Sequence, residues 1–180
     1  RVPDTIQSRC EIYTFKQPAR EMLAETVTDI SKKEGFALDR AAADLVALLA
    51  EGSFRDALSI LQKVLSVAKG KKVEVADVEE VSGAPRGELI RTLLSAIAHK
   101  DASGALTVIR TVEKDNMDAR TLAKLLIHRL RAVLLMRYAP TLSEEVTAEL
   151  TEADREVAST LTKEAGINSD TLRAILDAYG

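Results

Sequence analysis

The sequence predicts an all-α protein, and three observations carry that prediction. Ala, Leu, Glu, Lys and Arg dominate, aromatic residues make up 3% and tryptophan is absent; this bias favours helices over sheets. Apolar residues recur with a 3.6-residue period in one stretch after another. Glycines stand just past several of those stretches, where a helix commonly ends on a left-handed residue. With 46% hydrophobic residues among 180, the chain has enough apolar surface for one large domain or two small ones.

In chain order, a proline-led turn at Pro3 and a short polar segment come first. Ile12, Tyr13, Thr14 and Phe15 then alternate as a short β-strand would, yet no second convincing strand follows to pair with it. Pro18 at an N1 position opens the first long helix, which runs through Met22, Leu23, Val27 and Ile30 to Gly35. Asp39 caps a second, carrying Leu45, Val46, Leu48 and Leu49 and ending at Gly52. Ser53 caps a third, and Asp56 is placed to return the capping bond. Phe54, Ala57, Leu58, Leu61, Val64, Leu65 and Ala68 give this third helix one apolar face. It stops near Gly70, with Lys69, Lys71 and Lys72 at its negative end. A short fourth helix covers 75–81 and closes at Gly83. Connections this short make a small bundle.

Ala84-Pro85-Arg86-Gly87 is the best linker candidate, combining a helix-ending glycine with a proline two residues on. Beyond it, helices are expected over 88–99, 101–113, 118–138, 143–164 and 169–179, with Pro140 ending the third of these. Five amphipathic helices suffice for an independent domain. The predicted organisation is a remnant of another unit at 1–17, a helical bundle at 18–83 and a five-helix domain at 84–180.

Charge and composition exclude several functions. The net charge is −3, and neither half, split at Pro85, is basic, so no global field recruits nucleic acid. Cys10 is the sole cysteine, which rules out an intrachain disulfide and a cysteine zinc cluster. His99 and His128 lack metal-ligand spacing, so no metal site is expected. No apolar run approaches the length of a membrane span, and the start is not a signal peptide. Gly70-Lys71-Lys72 is no phosphate loop, because Leu65 stands at the first glycine position and Lys72 where a hydroxyl is needed.

Three features remain as candidate sites. Arg55 lies in the first turn of the third helix, at its positive end, where the helix dipole gives a guanidinium nothing. It either snorkels at the edge of the apolar face or is held there for an anion. Arg9, between Ser8 and Cys10, is either a surface partner of Glu11 or a guanidinium presented to a ligand. Arg120, Lys124, His128 and Arg131 fall within about 80° on a helical wheel. That face could meet DNA phosphates or an acidic partner; we favour a solvated face opposite Leu122, Leu126, Leu130 and Val133.

Taken together, Ser8-Arg9-Cys10 and Gly52-Ser53-Phe54-Arg55-Asp56-Ala57-Leu58-Ser59 resemble the clamp-loader ATPase subunits of the AAA+ superfamily. The second block points to the gamma/tau family of bacterial DNA polymerase III. The resemblance implies that Arg9 is a catalytic arginine finger aimed at ATP in the neighbouring subunit. It likewise implies that Arg55 is the sensor 2 residue, touching the γ-phosphate of ATP in its own subunit. Residues 1–17 would then be the end of the AAA+ core, 18–83 the lid and 84–180 the collar through which subunits form a ring. ATP with Mg²⁺ would serve the full-length protein, with none expected to bind this part alone. The implied partners are delta, delta prime and further gamma/tau copies, with the sliding clamp and primed DNA reached through the whole complex. The implied setting is a cytoplasmic, DNA-binding replication machine. Without an initiator methionine, the sequence looks like a fragment of such a protein. It departs from the family at Gln62-Lys63, where Asp-Gln is frequent. Two alternatives stand beside this reading: a helical interaction adaptor with no nucleotide role, and a different AAA+ machine such as a branch-migration motor.

Overall fold

The computed structural model describes residues 16–68 and 70–179, together with Pro3, Ile6, Arg9, Cys10, Glu11 and Tyr13. Among the described residues there are ten helices and one two-residue β-pair, so the all-α class is the architecture found. The strand expected at 12–15 falls outside the described residues except for Tyr13, which is exposed.

Helix α1 (Arg20–Lys33) starts later than its proline suggests. Ala19 keeps an extended backbone (ψ 151°), and the first helical bond is from Leu23 N–H to the Ala19 carbonyl at 3.2 Å. Pro18 therefore precedes the helix instead of occupying N1. Leu23, Ala24 and Val27 bury one face, packed against α2 (Arg40–Leu49).

Between them, β1 (Ala37–Leu38) pairs in parallel with β2 (Lys72–Val73), Ala37 opposite Lys72 and Leu38 opposite Val73. Asp39 occupies the N-cap position of α2, but its side chain makes no capping bond. It lies instead 3.3 Å from Lys72 Nζ, beside the β-pair. In α3 (Phe54–Val67), Ser53 Oγ accepts the Asp56 N–H at 3.2 Å, the cap the sequence predicts. Ala57, Leu61 and Val64 turn inward. A reciprocal capping box forms at α4 (Val75–Ser82), where Glu74 and Asp77 each satisfy the other's backbone N–H. Gly83, at φ 68°, closes that helix.

The joint that follows is no exposed tether. Ala84 and Pro85 are buried, and the Glu79 carboxylate accepts the Gly87 N–H at 2.8 Å. Six helices then follow where five were expected: α5 (Gly87–Ala98), α6 (Ala102–Lys114), α7 (Ala119–Tyr138), α8 (Pro140–Ala148), α9 (Glu152–Leu161) and α10 (Ser169–Tyr179). The single helix expected over 143–164 is broken at 149–151. Glu149 and Leu150 turn into the interior there, with 8% and 1% exposure. Thr151 restarts the chain as a cap, its Oγ accepting the Asp154 N–H at 3.2 Å. Pro140 follows α7 as expected and also serves as the N1 residue of α8. Helix α7 is the axis of this half, with α5, α8, α9 and α10 packed on it. One continuous apolar core joins Leu23 of α1, Val133 of α7 and Ile167 before α10.

Candidate functional site

Arg55 is launched from an unusual turn. Glu51 (φ 51°) and Gly52 (φ 80°) both adopt left-handed backbone between α2 and α3. Glycine is at ease there, whereas a residue with a Cβ is disfavoured by about 1–2 kcal/mol. A Cβ at position 52 would also stand 3.3 Å from the Gln17 side chain. Ser53 N–H then bonds the Ala50 carbonyl at 2.9 Å, and the Ser53 cap fixes the first turn of α3. Ala57 and Leu61 face the core while Arg55 is exposed. Behind the turn, Glu51 Oε1 is 3.0 Å from Lys124 Nζ on α7.

Arg9 is also exposed. Its N–H donates to the Ile6 carbonyl at 3.1 Å, and Ile6 N–H to the Pro3 carbonyl at 3.0 Å, so a local turn presents it. Ser8 lies outside the described residues, and Cys10 is an exposed free thiol. Among the described residues neither Arg9 nor Arg55 makes an ion pair, including the Arg9–Glu11 pair weighed above, and no bond joins the two.

The solvated basic face expected on α7 is not found. His128 is 9% exposed and the Lys124 side chain 19%. Lys124 pairs with Glu51 beyond α2, and His128 faces α2, α4 and the 149–151 turn instead of water. Arg120 and Arg131 remain exposed.

What lies at this seam is a chain of charges the sequence reading missed. Glu149 pairs with Arg20 of α1, and the same oxygen is 3.2 Å from His128 Nε2. Arg129 Nη1 stands 3.3 Å from His128 Nδ1. A guanidinium only donates, so Nδ1 is the acceptor and the proton sits on Nε2. The ring is neutral: burial first, then the charges of Arg20, Arg129 and Arg131, lower His128 to about 3. Arg129 Nη2 lies 2.7 Å from Asp154, whose other oxygen accepts from Arg91 Nη1 at 3.1 Å. Burial also pushes Asp44 and Glu79 up, opposed at Asp44 by Arg20 and at Glu79 by the Gly87 N–H. Asp44, Glu79, His128, Arg129 and Glu149 border a cavity of about 20 Å³, room for about one water.

This arrangement locks elements together and does no chemistry, since both His128 nitrogens are engaged and the ring is buried. A signal for part of it was available. Arg129 falls four residues after Leu125 and four before Val133, in the middle of an apolar stripe where a charge needs a buried partner. Among the described residues no group of three His, Cys, Asp or Glu could hold a metal ion. No helix there is long and apolar enough to cross a membrane.

Residues 13–70 match the family described as DNA polymerase III clamp loader subunit, ATPase lid domain. The DNA polymerase III subunit gamma/tau of Mycoplasma genitalium is 28% identical over 118 residues, covering 66% of this chain and 20% of that one. The DNA polymerase III subunit tau of Bacillus subtilis is 28% identical over 142 residues, covering 79% and 25%. Among solved structures, the DNA clamp loader delta protein of Bacillus subtilis matches with a TM-score of 0.42 and 15% identity, over 92% of this chain and 50% of that chain. This chain thus spans a quarter or less of the gamma/tau and tau subunits it matches.

Proposed function

We propose that this chain, a clamp-loader gamma/tau-like polypeptide, supplies the nucleotide-sensing lid and the ring-forming collar of an ATP-driven clamp loader. The observation that carries the reading is the Ser53-capped start of α3, which holds Arg55 exposed and without an ion-pair partner among the described residues inside the segment matched to an ATPase lid. An exposed guanidinium on a rigid first turn is suited to an anion that arrives from outside these residues. In this reading Arg55 contacts the γ-phosphate of ATP bound by its own subunit, and lid position follows nucleotide state. Arg9 is the trans-acting finger, stabilising charge that develops on the transferred phosphoryl in the neighbouring subunit.

In this reading the phosphate loop and the ligands of Mg²⁺ belong to the rest of the full-length subunit; these 180 residues carry no Gly-Lys-Ser/Thr pattern. The helices from 84 onward form the assembly surface for delta, delta prime and further gamma/tau copies. The sliding clamp and primed DNA are the substrates of the whole complex. The adaptor alternative accounts for the helices but gives no reason for two exposed arginines on built turns.

The test is Arg55→Ala in the full-length subunit. Losing one charge-assisted bond costs about 1.5–3 kcal/mol, a roughly ten- to hundredfold loss of affinity for a non-hydrolysable ATP analogue. Unchanged affinity in the subunit alone rejects the sensor assignment. A defect confined to mixtures with wild-type neighbours shows that Arg55 acts in trans.

A further inference from the structure

We propose that Lys124, on the far side of the chain joint in α7, is a positioning residue for Arg55, acting through Glu51. The proposal rests on the reading of Arg55 as a nucleotide contact. Three residues separate Glu51 from Arg55, and the Ser53 cap makes 53–56 one rigid turn. The direction of Arg55 thus depends on the Glu51–Gly52 turn together with the packing of Ala57 and Leu61 on the core. At Glu51 the left-handed backbone is held by contacts and not by intrinsic preference, because its Cβ disfavours it.

Besides the Ser53 N–H to Ala50 carbonyl bond that spans the turn, two side-chain contacts hold it. Gln17 packs over Gly52, and Lys124 Nζ takes the Glu51 carboxylate at 3.0 Å. The two partners are unequal. Lys124 is 19% exposed and Glu51 66%, so the lysine stem is already fixed by packing on α7 and the glutamate is the end that is ordered. A pair of this kind adds little to global stability, yet it acts on the joint that aims the guanidinium. Nucleotide contact is then coupled to the placement of α7, and the coupling runs both ways.

Lys124→Met, which keeps the stem and removes the charge, tests this in the full-length subunit. Binding of a non-hydrolysable ATP analogue should weaken about two- to fivefold, the scale of an exposed pair, and amide exchange at 52–56 should quicken. In an Arg55→Ala background the same substitution should leave binding unchanged. The exchanged pair Glu51→Lys with Lys124→Glu should restore binding to within a factor of about two. Unaltered exchange at 52–56 overturns the proposal, as does an equal loss of affinity with or without Arg55, which would mark Lys124 as merely structural. Arg55→Ala alone, if it binds ATP normally, overturns the sensor reading itself, whatever the exchange data show for Lys124.

Discussion

His128 Nε2 lies 3.2 Å from Glu149, a residue 21 positions further along, and both side chains are buried. Glu149 also takes Arg20 of α1. One carboxylate thus ties the first helix to the longest.

Stability should fall as pH drops below that of a free imidazole. Unfolded, His128 titrates near 6.5; folded, it is held at about 3 by burial and by Arg20, Arg129 and Arg131. Between those values the unfolded chain binds the extra proton, so stability rises with pH there and is lost on acidification, by up to about 1.4 kcal/mol per pH unit. Asp44 and Glu79, pushed up by burial, act in the opposite sense. The comparison is therefore wild type against His128→Gln, which keeps a donor for Glu149 and an acceptor for Arg129. Urea unfolding at pH 7.5 and 5.5 should show the wild-type advantage shrinking on acidification. A difference independent of pH would mean that His128 takes up its proton over the same range folded and unfolded, and an advantage that grows on acidification would mean that it is charged in the fold.

Removing Asp154 should be severe. Its side chain is 1% exposed and is shared by Arg91 and Arg129. Asp154→Ala strands two guanidinium groups, at a cost of about 3–5 kcal/mol by denaturant unfolding. Replacing all three by Arg91→Met, Arg129→Met and Asp154→Leu should recover most of that loss, because an apolar trio avoids desolvating charge. A small effect of the single substitution would show that water reaches the arginines.

Arg9→Ala should leave the unfolding midpoint unchanged, since the side chain is exposed and makes no ion pair with a described residue. In the assembled loader it should leave ATP binding intact and lower turnover by ~10³-fold, the scale of a trans-acting arginine. A loss below about tenfold excludes the finger role.

The apolar pattern was legible because it is local. Leu23, Val27, Leu61 and Val64 face the core where the 3.6-residue period puts them, and Ser53 caps the helix it was expected to cap. The charges were not legible, because their burial depends on partners far along the chain. Lys124 is settled by Glu51 and His128 by Glu149, and neither pairing has a local signature. The break at 149–151 was hidden by helical periodicity on both sides of it; only the Thr151–Asp154 spacing announced a new cap. The β-pair was too short for alternation to register. At the candidate site, both arginines were recognised through motif resemblance, while the left-handed Glu51–Gly52 turn that aims Arg55 is visible only in the fold.

The segment recognisable as a lid ends at residue 70, but the packing does not end there. Val73 and Val78 are fully buried, β2 supplies the backbone partners of β1, and α4 lies against α2 and α3. A polypeptide severed after residue 70 would keep the whole segment matched to the lid family and lose one wall of its own interior. The family match and the packed unit cover different lengths of chain, and excising the lid as a working piece requires the longer one, through Ser82.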